Sequence, residues 1–163
     1  MRTRSVRAET IAVGFSRRLA LMVILVAFAG ALQATDLAVI GSVKVNLPLA
    51  ALAAFSFLAP SLAWYLTLLI VAGFFVRFAP GFDLPLLAFT GVALGAFAAS
   101  RLAPITPLLG APLTAAVATV ALYLIIDHAF VGETPLTVLA ELFYNALVAV
   151  LCYFAAVAVP DEK

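Results

Sequence analysis

Thr137, Glu141 and Asn145 are spaced four apart within an apolar run from Leu136 to Val159. On a helix that spacing places all three on one face. A carboxyl and an amide in such a run are costly, so they mark either a bond to a neighbouring helix or a substrate or proton site. The spacing predicts that Glu141 takes a hydrogen bond or ion pair from another helix, with Arg77 or Lys44 as possible partners. Asn145 is expected to bridge two helices, since its amide both donates and accepts.

Other reactive side chains are few. The one histidine, His128, follows Asp127, but adjacent helical residues point about 100° apart, so the two do not form a natural dyad. Both are expected to meet water at the end of a helix. The one cysteine, Cys152, falls inside the last apolar run, where a thiol is inert. Nucleophilic catalysis needs a nucleophile, a base and an orienting group within reach, and no such set is spaced for it. With one Cys and one His, the chain cannot build a disulfide or a Cys/His metal centre. No glycine-rich phosphate loop or paired-carboxylate motif appears. The reading is therefore of a protein that is not an enzyme and needs no cofactor.

The elements that hold these residues follow from composition. Of 163 residues, 66% are hydrophobic and 10% charged, with a mean hydropathy of +1.23. Soluble domains run at about 45–50% apolar and about 25% charged, which excludes a water-soluble globular fold. The net charge of +1 argues against nucleic-acid binding. The class is a small polytopic membrane protein, with the bilayer as its first partner.

A helix crossing the ~30 Å hydrocarbon core needs about 20 apolar residues. The clearest runs are Leu19 to Ala34, Leu84 to Leu102, Pro112 to Ile126 and Leu136 to Val159. Between the first two, Leu47 to Val76 is broken at Pro60-Ser61. It reads as a hairpin of two short helices, Leu47 to Ala59 and Leu62 to Val76. That gives an all-α bundle of six transmembrane helices, of which the second is under-length and expected to tilt or stop at half depth. Pro48, Pro85, Pro112 and Pro135 stand near helix starts, where a missing N–H costs nothing. Asn46, Ser61, Asp83 and Thr134 are the expected caps, and Pro104 and Pro107 are assigned to a linker. The domain scheme is a basic arm over 1–18, one transmembrane domain over 19–159, and a tail over 160–163.

Lys and Arg set the orientation. With Arg2, Arg4, Arg7, Arg17 and Arg18 in the cytoplasm, Arg101 and Lys163 fall there too, leaving Lys44 and Arg77 outside. The split is seven against two, which predicts both termini cytoplasmic. The first segment also has features of a signal peptide, with Ala27-Phe28-Ala29 or Ala29-Gly30-Ala31 as a cleavage-like site and Ser16-Arg17-Arg18-Leu19 as a twin-arginine hint. Because more membrane helix follows, an uncleaved first span is the simpler reading.

On the fourth run Gly91, Gly95 and Ala99 form a strip of small residues. Such strips let helix backbones approach closely in lipid, so this helix is expected to pack tightly, within the chain by default or against a partner helix.

In order, these features resemble MreD, the small polytopic protein of the bacterial cell-elongation machinery. The likeness rests on a first helix ending in Ala31-Leu32-Gln33, then Asn46-Leu47-Pro48 entering an apolar helix that ends in Leu58-Ala59-Pro60. A third helix carries Ala72-Gly73-Phe74, and the last carries Tyr144-Asn145-Ala146-Leu147-Val148-Ala149. Where that family has an acidic residue at the end of the third helix, this chain has Arg77, with Asp83 following. The resemblance implies a non-catalytic inner-membrane component of peptidoglycan synthesis and rod shape. Its implied partners are a bitopic protein of the MreC type and the wall synthases. The MreD fold is itself similar to the S-components of energy-coupling-factor transporters. That likeness implies the alternative, a subunit binding a vitamin or metal ion in an outer polar pocket of Glu141, Asn145, Asp127 and their neighbours.

Overall fold

The computed structural model describes residues 3–35, 39–40, 43–76 and 83–159. Its elements, in order, are α1 (Thr3–Gln33), β1 (Val39–Ile40), β2 (Val43–Lys44), α2 (Leu47–Ser56), α3 (Leu62–Phe75), α4 (Leu84–Leu102), α5 (Pro107–Ile126), α6 (His128–Glu133) and α7 (Pro135–Val157). β1 and β2 pair antiparallel, Val39 opposite Lys44 and Ile40 opposite Val43. This small ribbon is an addition to the expected all-helical chain.

Three helices among the described residues, α4, α5 and α7, are long and apolar enough to cross a membrane. They identify a membrane protein. Their outward faces carry large apolar side chains such as Leu102, Leu109, Leu136 and Phe143, which suits contact with lipid rather than water. The expected count of six spans is not reached on helix length. α2 has 10 residues and α3 has 14, giving about 15 and 21 Å at ~1.5 Å per residue. α1 starts at Thr3, so the basic arm continues the first helix.

α2 is the centre of the molecule. Every residue from Pro48 to Ser56 is buried, and α1, α3, α4, α5 and α7 all pack around it. Alanines at 50, 51, 53 and 54 give it a slim profile that five neighbours can approach. A helix buried on all sides has no polar face, and its sequence has none.

The break between α2 and α3 falls where expected, at Pro60-Ser61, with the Ser61 hydroxyl accepting from Trp64 N–H. Asn46 and Asp83 also cap as expected, accepting from Leu49 and Leu86 N–H at 3.2 and 3.1 Å. Thr134 does not cap α7; its hydroxyl donates back to the Phe130 carbonyl at 2.9 Å. Two proline assignments are also corrected. Pro107 is the first residue of α5 and not part of a linker, and Pro112 lies inside that helix. Its ring forgoes one bond to the preceding turn, while Pro107 takes the first position, where a fixed φ suits the helix.

Candidate functional site

Entering α2 poses a problem of unsatisfied donors. The first N–H groups of a helix have no partner within it, and here they are packed inside protein. Each finds a side chain or lacks a hydrogen. The Asn46 N–H donates to Asn145 Oδ1 at 3.0 Å and the Leu47 N–H to Gln33 Oε1 at 3.1 Å. Pro48 has no N–H, and Leu49 donates to the Asn46 side chain. Irregular backbone is tolerated at membrane depth where protein side chains satisfy it in this way.

The other end of α2 is held by cation and hydroxyl donors. Arg101 donates from its guanidinium to the Ala59 carbonyl and to that of Ser56, and its charge lies 4.6 Å from the Phe97 ring centre. Ser100 Oγ also donates to Ser56 O at 3.0 Å. A positive charge at a helix C-terminus is favourable with the helix dipole.

A ladder of polar side chains joins α5 to α7. Asn145 Nδ2 donates to Thr119 Oγ1 at 2.8 Å, and one turn along, the Tyr123 hydroxyl donates to the Glu141 carboxyl. Thr119 and Tyr123 are four apart on one helix, and Asn145 and Glu141 four apart on the other. Two antiparallel helices therefore match rung for rung. Asn145 is fully buried and Glu141 is 3% exposed.

Beyond Glu141 the ladder opens into a cavity of about 320 Å³. Its polar lining comes from Gln33, Lys44, Asn46, Tyr123, Asp127 and Glu141, and its apolar walls from Val76, Leu122, Ile126 and Phe130. The Tyr123 and Phe130 rings stack with centres 5.2 Å apart. Asp127 is exposed at the rim, where it caps α6 by accepting from Phe130 N–H at 3.2 Å.

No family model, curated protein or solved structure matches this chain. What the site does must be read from its geometry.

Glu141 and Asn145 come together with partners on other elements, as their spacing implied. The partner of Glu141 is Tyr123, whereas Lys44 is exposed and lines the same cavity without pairing with it. Arg77, and the pairing suggested for it, lies outside the described residues. Thr137 is half-buried at the start of the same face. His128 is exposed, as expected, and the described residues contain no group of three His, Cys, Asp or Glu able to hold a metal.

The small strip of α4 does not pack within the chain. Gly91, Gly95 and Ala99 are exposed, and a Cβ at either glycine would meet nothing within 4 Å. The close approaches are made by other glycines. A Cβ at Gly30 would fall 2.5 Å from that of Phe75, and one at Gly110 would enter the Phe57 ring. Small size alone marks a residue that can approach closely, and only the face it shares with buried neighbours says whether it does.

Sequence reasoning also missed Thr119, Tyr123 and the work of Arg101. A signal for the first two was present: a second pair of polar residues four apart in the neighbouring run. Arg101 had been read only as a topology charge.

Proposed function

We propose that this chain is a non-catalytic, MreD-like component of the bacterial inner membrane, acting in the cell-elongation machinery that directs peptidoglycan synthesis. The support is spatial. The short pieces that carry the resemblance are far apart in sequence, yet Gln33, Asn46-Leu47 and Asn145 join through direct hydrogen bonds at one junction. Leu58-Ala59-Pro60 is held at the opposite end of the same helix by Arg101. A scattered pattern whose members close on one central helix is what a shared architecture requires. Because Asn145 and Thr119 satisfy each other and the backbone, their role in this reading is to lock the bundle that presents a surface to partners.

The topology proposed with it has six crossings and both termini in the cytoplasm. The short second crossing is completed by extended chain. Val43 to Asn46 adds about 13 Å at ~3.3 Å per residue to the ~15 Å of α2, close to the ~30 Å needed. Val43 and Val45 are buried and Lys44 exposed, the alternation of an extended segment packed on one side.

Co-expression with a bitopic partner of the MreC type, followed by purification in mild detergent, tests this reading. A stoichiometric complex is expected. A chain that folds but elutes alone from every such pairing contradicts it.

The cavity beside Glu141 supports a second reading, a ligand-binding subunit like the S-components. A thermal-shift screen against vitamins and metal ions decides between the two. A saturable shift lost in Glu141→Gln, with no wall-synthesis partner recovered, replaces the first reading by the second.

A further inference from the structure

A carboxylate removed from water keeps its charge only where a cation or several donors support it. Glu141 is 3% exposed, has the Tyr123 hydroxyl and the Asn145 amide as its neighbouring donors, and forms no ion pair among the described residues. It borders a cavity of about 320 Å³ lined in part by aromatic and apolar side chains and in part by Gln33, Lys44, Asn46 and Asp127. We propose that this cavity binds a small organic ammonium ion, with Glu141 as its counter-charge. The proposal rests on the second reading above, that the cavity takes a ligand, and names the ligand's chemical class.

Three features favour that class. The stacked Tyr123 and Phe130 rings supply aromatic surface of the kind that attracts ammonium groups. Asp127 adds a second negative charge at the mouth, and the Asn46 and Gln33 side-chain oxygens, which accept from Leu49 and Leu47 N–H, line the same space. A bare metal ion is less well served. Hard cations take six or more oxygen ligands, and much of this lining is carbon. The space is of a size for a small organic cation. Lys44 also lines the space, exposed and forming no ion pair with Glu141.

The test uses the full chain in a maltoside detergent, with choline and ethylammonium as probes. The neutral tert-butyl isostere of choline and acetate serve as comparators. A saturable rise in Tm with at least one ammonium probe is expected, and none with the isostere or acetate. Glu141→Gln should weaken binding by ~tenfold or more, as loss of a buried charge partner does. Asp127→Asn keeps the α6 cap while removing the rim charge, so it provides a second readout should Glu141→Gln fold poorly, and should also weaken binding. Glu133→Gln, outside the cavity, should bind as the parent does. Equal binding of the isostere, or undiminished choline binding in both cavity variants, overturns the ammonium assignment. If vitamins or metal ions then give a saturable shift, the second reading survives that failure. No saturable shift with any probe overturns both.

Discussion

The backbone N–H of Asn46 donates to the side-chain oxygen of Asn145 across 3.0 Å, joining positions 99 apart in sequence. Through its other atom the same amide holds Thr119 at 2.8 Å. One side chain thus fixes the entry of the central helix against both α5 and α7.

Asn145→Leu should therefore leave the Asn46 N–H without its partner and remove the amide donor to Thr119, whose hydroxyl still donates to the Ala115 carbonyl. The expected loss is about 1–3 kcal/mol of stability, read as a lower midpoint of unfolding in detergent. Thr119→Val removes one of the two bonds and should cost less. In the double variant the effects should fall short of additivity, since they share a bond. Additive losses would mean that the two side chains act separately.

Glycine substitutions separate packed from lipid-facing positions. Gly30→Ala drives a methyl into Phe75 and should cost about 1–3 kcal/mol, as overpacking does. Gly95→Ala faces open space and should be neutral, or stabilise by about 0.5–1 kcal/mol through helix propensity. Equal thermal stability of the two variants would contradict the packing described.

Arg101→Met should destabilise the bundle by about 1–2 kcal/mol, because the Ala59 and Ser56 carbonyls lose a charged donor. Arg101→Lys should recover part of that loss, having charge but not the planar fork. Stability in detergent reports both, and an unchanged midpoint for Arg101→Met would reduce this residue to a topology signal.

Reporter fusions address the proposed topology. Fusions after Lys163 and within the segment from Asp36 to Val45 should report opposite sides of the membrane, the first cytoplasmic. Both on one side would remove the six-crossing scheme.

The extent to which the fold could be read from residues varies with the physics involved. The hairpin break at Pro60-Ser61 and the caps at Asn46 and Asp83 depend on local chemistry, and local sequence shows them. The polar face of α7 was visible because polar residues in apolar runs are rare enough to count. Their partners were harder to see. Thr119 and Tyr123 are mild residues that become significant only when α5 lies antiparallel to α7. The α4 strip misled for a related reason: Gly91, Gly95 and Ala99 are small enough to pack, but the bundle turns them outward. Pro112 misled because Pro107, five residues earlier, had already started the helix.

Depletion of the protein in its native cells, followed by a fluorescent wall-precursor pulse and measurement of cell width, reaches the elongation reading most directly. The expected result is loss of label along the side wall and wider, rounder cells, restored by the parent chain and poorly by Asn145→Leu. Side-wall labelling and cell width unchanged after complete depletion would contradict it.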